Sequence, residues 1–431
     1  MFALIAPVGS LLISVALLLM GNGLQGTLLP IRAEIESFGA LNIGIMGSAY
    51  FLGFAGGCIG GPYIVSRVGH IRTFAAATAL ASTVALMHAL AILPFSWWIL
   101  RAVTGASLAI LYMVIESWLN ERASNESRGT IMSIYTVINL SMIMAGQMLL
   151  TLYSPSSFAP FALASILVSL AAVPVALSSA SAPAPLTSVK LRFIHLARVS
   201  PVGWFGALTV GLGNGAFWSL GPLFARNGGL DLNGIALFMS LVVLGGAIGQ
   251  YPFGKLSDRM DRRLVILVCA IGVALVGVAL PALAEIHPQG LLLGAFLFGL
   301  TAMPVYAIAV AHMNDHVSAD GFVEASTCML LVYAAGAVVG PMLASAVTGN
   351  FGFWTLFPYI GVVYAVFAVF VLLRMRVRSA PASDDKTGFV TNPGTTPEIY
   401  AMDPRADPDF NASPAEDGAA EDVEGTDRPS S

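Results

Sequence analysis

The chain has 431 residues, of which 57% are hydrophobic and only 10% charged, with a formal net charge of −4. An ordinary globular protein carries about 25% charged residues, so these charges cannot cover a soluble body of this size, and lipid must be the solvent for most of the chain. The same scarcity excludes a nucleic-acid-binding protein, which needs a basic surface to meet phosphates.

A helix crosses the hydrocarbon core with about 20 apolar residues. Runs of that kind are predicted, in chain order, at 8–30, 42–65, 73–94, 96–118, 129–153, 159–179, 201–225, 234–254, 264–284, 290–313, 322–349 and 354–374. The first lacks a basic leader and is long enough to span, so it reads as a helix that stays. Lysines and arginines separate by side. Arg67, Arg72, Arg122, Arg128, Lys190, Arg192, Arg198, Lys255, Arg259, Arg262, Arg263, Arg374, Arg376 and Arg378 fall on one side, and Arg32 and Arg226 on the other. The rich side is expected to be cytoplasmic, with both termini there, in a bacterial inner membrane. Residues 379–431 are rich in Pro, Ser, Ala and acid, lack apolar periodicity and are expected to be a disordered, solvated tail.

The chain also repeats itself. A shift of 192 residues lays Gly21-Asn22-Gly23 on Gly213-Asn214-Gly215, Pro30 on Pro222, Gly53 on Gly245, Gly57 on Gly249 and Arg67 on Arg259. A shift of 194 lays Tyr112 on Tyr306, Asn120 on Asn314, Glu121 on Asp315 and Gly146 on Gly340. Six helices per half and an even shift make a parallel repeat about an axis along the membrane normal. The expected organisation is a six-helix bundle at 1–180, a linker at 181–200, a second bundle at 201–375 and the tail at 376–431. Two bundles around a seam suit alternating access.

Several patterns mimic other chemistry. Gly21 to Gly26 fits G-x-G-x-x-G but lies inside an apolar run with no strand before it, and Gly249 to Lys255 begins a P-loop that continues with Leu256 instead of Ser or Thr. No Ser/His/Asp, zinc or paired-carboxylate constellation is spaced for catalysis, and Cys58, Cys269 and Cys328 lie inside spans as small packing residues. The expectation is a non-enzyme with no cofactor and no metal, monomeric in lipid.

Polar residues inside spans are the site candidates. Arg101 sits a turn or two into the fourth span, where a charge is costly unless it faces protein or water. At 100° per residue, Arg101, Gly105, Tyr112 and Glu116 share an arc of roughly 60°. Arg101 is read either as a substrate-anion or proton-coupling residue or as a structural ion pair. Glu116, near the basic end, is expected to pair with Arg67 or Arg128. Asn22 and Gln25 in the first span, Asn139 in the fifth, Asn214 and Trp218 in the seventh and Tyr306 in the tenth are cavity candidates. Each of the uncharged ones could instead bond a neighbouring helix, at about 0.6 kcal/mol. His312 and Asp315 read as helix-end residues.

The loop from Gly254 through Leu256, Asp258 and Arg259 to Arg262 and Arg263 needs small and charged residues for a tight turn, and Asp258 could cap a helix N-terminus. It resembles the signature loop of the major facilitator superfamily, G-x-L-x-D-R-x-G-R-R, with Asp261 in place of the second glycine. Arg67 marks a degraded copy in the first half. Arg101 to Gly105 resembles the family's R-x-x-x-G element, and Gly336, Gly340 and Pro341 its glycine-proline gating element. Glu116 to Asn120, Arg128-Gly129 and His312 to Asp315 resemble the YcaD-like bacterial group. The resemblance implies twelve transmembrane helices in two bundles, a latch role for the loop, and a secondary transporter working by alternating access, but fixes no substrate. The scarcity of charge inside the spans points to a small organic solute that is apolar, amphipathic or singly charged, with proton-coupled efflux one option and the direction and coupling ion left open. A membrane receptor or sensor on the same scaffold is the alternative.

Overall fold

The computed structural model describes residues 8–123, 125–177, 192–317, 321–377, 388–390, 394–401 and 403. Twelve long helices run through them. The first half holds α1 (Gly9–Ile35), α2 (Ala40–Val68), α3 (His70–Leu90), α4 (Pro94–Arg122), α5 (Asn125–Met148) and α6 (Ala159–Leu170, continued by Ala172–Ala176). The second holds α7 (Pro201–Asn227), α8 (Leu232–Arg259), α9 (Arg262–Ile286), α10 (Gly290–Asn314), α11 (Phe322–Phe351) and α12 (Leu356–Val377). A short helix, Phe193–Val199, precedes α7, and another, α13 (Pro397–Ala401), follows the last span. The described residues contain no strand.

Among the described residues, eleven helices are long and apolar enough to cross a membrane. The exception, α7, is 27 residues long, but its glycines and Asn214 lower its hydropathy. Each predicted run overlaps one of these helices, although 73–94 overruns α3, which ends at Leu90, and 129–153 overruns α5, which ends at Met148. Most helices extend past the predicted limits, because backbone hydrogen bonding continues into the polar flank after the apolar stretch ends. Side chains cap several starts: Asp231 accepts from the Gly234 amide at 2.8 Å, and Ser200 from that of Gly203 at 3.3 Å. Gly69, at φ 91°, turns the end of α2 directly into α3, a conformation that a Cβ disfavours. Large apolar side chains such as Leu90, Leu275 and Val278 point outward, as they do where lipid is the solvent.

Glycines bring backbones together at crossings that recur in the two halves. A Cβ on Gly53 or Gly57 of α2 would overlap Ala102 or Ala106 of α4, and one on Gly105 would overlap the Tyr50 carbonyl. In the second half Gly245 and Gly249 of α8 meet Phe296 and Leu300 of α10 in the same way, and Gly299 meets Val242. Gly23 and Gly146 join α1 to α5, as Gly215 and Gly340 join α7 to α11. The aligned glycines of the internal repeat therefore occupy equivalent crossings, and small residues let helices approach closely in lipid. Gly105→Val and Gly299→Val are each expected to cost about 1–3 kcal/mol or more. Gly56→Val, where no atom lies within 4 Å, is expected to be silent; thermal melting in detergent checks all three.

The halves meet directly at the end opposite the arginine-rich one. There Glu34 pairs with Arg226 at 3.0 Å and accepts from Asn227 at 3.1 Å. Gly44 lies against Ser345 and Pro341, and Gly47 against Ser219. At the basic end α13 packs against α4 of one half and α11 of the other. This corrects part of the expectation of a solvated tail. Residues 388–390, 394–401 and 403 pack against the bundles, with Ile399 and Tyr400 buried at 0% and 1% exposure. Composition missed them because one short apolar pair is averaged away in an acidic stretch. Arg376 and Val377, at the start of the expected tail, end α12; the rest of that tail, and residues 181–191 of the expected linker, lie outside the described residues.

Candidate functional site

A cavity of about 230 Å³ opens between the halves, lined by residues that include Asn22 of α1, Tyr50 of α2, Arg101 of α4, Asn139 of α5, Trp218 of α7 and Tyr333 of α11. Both halves contribute, so any rocking of one against the other reshapes it. Pro94 starts α4, and the close crossing of Gly105 with Tyr50 fixes that helix against α2 one turn beyond Arg101. Arg101 is 9% exposed, with its guanidinium carbon 4.2 Å from the centre of the Tyr50 ring. A cation over an aromatic face gains about 0.5–2 kcal/mol. Its Nε and Nη1 find no hydrogen-bond partner among the described residues, and no carboxylate is among the described residues that line the cavity. The alternative reading of Arg101 as half of a structural ion pair finds no partner here.

Asn22 lies beside Tyr50 and Tyr112, and its repeat mate Asn214 beside Tyr333. The structure thus brings five sequence candidates to the cavity wall: Asn22, Arg101, Tyr112, Asn139 and Trp218. Gln25, Glu116, Asn214 and Tyr306 lie off that wall. Gln25 is buried with Oε1 unpartnered, and Tyr306 shares a 2.7 Å hydrogen bond with the Tyr400 hydroxyl. Tyr50 and Tyr333 escaped the sequence reading, although each is a tyrosine within an apolar run. Gly394 and Thr395 also reach the cavity, and nothing local in the sequence announced that.

Glu116 corrects another expectation. It pairs with neither Arg67 nor Arg128 in the recorded ion pairs. The carboxylate is fully buried and accepts from the Tyr135 hydroxyl at 2.7 Å and from the hydroxyls of Thr395 and Thr396. Arg67 instead donates to the Tyr63 hydroxyl at 3.2 Å. Near its basic end α4 turns Glu116 inward, where hydroxyls take the place of the expected cation.

The loop between α8 and α9 is built around Arg262. Its guanidinium holds Asp315 at 2.7 Å, Asp258 at 3.1 Å and the Ser257 hydroxyl at 3.0 Å, tying the loop to the end of α10. The helix cap expected of Asp258 belongs to Asp261, which accepts from the Arg263 amide at 3.0 Å at the start of α9. Burial pushes the Asp261 carboxyl up, but hydrogen bonds from Arg263 outweigh it and hold the group below the usual carboxylate range. Asp258 instead serves Arg262 and accepts from the Phe389 amide at 3.0 Å. Gly254 has the Phe389 ring against it. Gly336 and Gly340 are packing residues against Leu208 and Leu212 of α7, while Pro341 sits at the seam between the halves.

Two related helical halves around an internal cavity are an architecture suited to membrane transport, and comparisons with known proteins support a membrane transporter. A profile of the Major Facilitator Superfamily matches residues 203–406. The chain is 26% identical over 379 residues to an uncharacterised MFS-type transporter, YcaD, of Escherichia fergusonii, covering 88% of this chain and 98% of that one. An Escherichia coli YcaD matches at 26% over 376 residues, covering 87% and 96%. In three dimensions the nucleoside transporter NupG superposes with a TM-score of 0.74 at 12% identity, over 86% of this chain and 99% of that one. A bacterial homologue of the human lysosomal transporter Spinster, in an inward-facing and occupied conformation, gives 0.71 at 14% identity over 88% and 97%. The second half of the chain thus matches the major facilitator superfamily, and over most of its length the chain is similar to YcaD-like members of that superfamily.

Proposed function

We propose that the chain exports a small organic monoanion with an apolar body across the bacterial inner membrane by alternating access, with both termini cytoplasmic. The observation that carries this reading is Arg101: a buried guanidinium with unpartnered donors, in a cavity whose other described walls are aromatic, aliphatic or neutral polar. One cation without a lining carboxylate favours one negative charge, and the rings of Tyr50, Phe51, Phe54, Tyr112, Trp218 and Tyr333 favour an apolar remainder. The charge asymmetry of the loops supports a cytoplasmic basic end, and the direct contacts at the other end support entry from the cytoplasm. Proton coupling is assigned to Glu116, the buried carboxylate of α4, whose recorded partners are all hydroxyls.

Purified protein in proteoliposomes, loaded with aromatic and aliphatic monocarboxylates, their neutral amides and dicarboxylates, tests the reading. Monocarboxylate flux that exceeds amide flux and responds to a pH gradient is the expected result. Equal flux of acid and amide would remove the anion assignment, and indifference to the gradient would remove the coupling.

A further inference from the structure

We propose that the segment from Gly394 to Ala401 is an intramolecular ligand of the transport cavity, which it occupies from the basic end and so holds the carrier in one state. The inference deepens the transport reading by naming what regulates that cavity.

Several independent contacts seat the segment. Gly394 and Thr395 form part of the cavity wall. The hydroxyls of Thr395 and Thr396 donate one to each carboxylate oxygen of Glu116. Ile399 and Tyr400 are buried in the apolar cluster that also contains Tyr112, Ile115, Met329 and Leu330, from both halves. The Tyr400 hydroxyl meets that of Tyr306. Upstream, Phe389 bonds Asp258 and lies against Gly254, so the same stretch of chain touches the loop organised by Arg262.

The position has a mechanical consequence. Alternating access closes the basic end by bringing the two halves together there, and α13 stands between α4 and α11. While it stays, neither closure nor entry of a solute from that side is sterically open. The segment also supplies hydroxyls to a buried carboxylate that would otherwise need water or a proton. Its fit is specific at Gly394: φ is +59°, and a Cβ there would approach the Tyr306 ring to 2.9 Å. A side chain at this position is strained twice over, which makes Gly394→Val a selective way to unseat the segment without altering any span.

Cys58 provides a readout that does not depend on transport. It lines the cavity at 5% exposure, and mass-spectrometric mapping separates its alkylation from that of Cys269 and Cys328. The full chain, a chain ending at Val377, Gly394→Val and Tyr400→Ala are treated in detergent with a water-soluble maleimide. A segment docked in about nine of ten molecules predicts about tenfold faster Cys58 labelling after truncation. Intermediate gains are expected for the two substitutions, and a synthetic peptide covering residues 388–403 should restore protection. Equal Cys58 rates in the full and truncated chains overturn the proposal. Benzoate flux, measured in parallel, separates the two readings. Faster labelling with no benzoate flux in any form upholds the plug and counts against the transport reading. Flux that is unchanged by truncation, with unchanged labelling, does the reverse.

Discussion

Arg101→Ala is expected to weaken binding of the proposed organic monoanion by about 2–5 kcal/mol, roughly 30-fold to several-thousand-fold, while leaving the fold intact. The loss is large because the guanidinium is buried and its Nε and Nη1 stand unpartnered. A carboxylate that reaches them gains charge-assisted hydrogen bonds in a low-dielectric wall, where they are stronger than in water. The fold survives because no recorded carboxylate partner is left unpaired. What the protein loses is the contact with the Tyr50 ring, worth about 0.5–2 kcal/mol, and the cost of burying the charge is relieved at the same time. Arg101→Lys keeps the charge without the planar fork and falls between the two. Ligand-induced melting shifts and calorimetry with a monocarboxylate and its amide provide the measurement. An Arg101→Ala protein that binds the acid as tightly as the parent would place the anion elsewhere.

Arg262→Ala is expected to cost stability on a similar scale, about 3–5 kcal/mol, because it takes the guanidinium away from a buried carboxylate. Asp315 and Arg262 are each 1% exposed at the side chain and meet at 2.7 Å. Asp258, at 38%, keeps water as a substitute partner. The size of the penalty reflects Asp315 losing its guanidinium more than the net worth of the pair. The double variant Arg262→Ala/Asp315→Ala is therefore expected to recover part of the loss, and Arg262→Met with Asp315→Leu more of it. Thermal and denaturant unfolding in detergent, analysed as a double-mutant cycle, reads the coupling. Additive losses would show that the pair contributes nothing as a pair.

The linear chain determined what depends on length, hydropathy and sign. Twelve apolar runs became twelve helices because a bilayer leaves no other way to satisfy the backbone over such stretches. The glycines aligned by the repeat fell on equivalent helix crossings, since each crossing requires a small residue at a fixed height. Arg101 was visible because a charge within an apolar run is costly wherever it points.

Tertiary structure decided which polar residues share one space. Asn22 and Asn139 face the cavity, while Gln25, one turn from Asn22, does not, because a helix of 3.6 residues per turn presents one face to the seam and its placement comes from packing. It also decided that Asp261 rather than Asp258 caps α9, and that Glu116 meets hydroxyls instead of arginines. Above all it decided the place of residues 394–401. Two buried side chains and a pair of threonines are too small a signal to stand out in an acidic, proline-rich stretch. They gain their binding energy only from a pocket assembled by α4, α10 and α11, helices far from them along the chain.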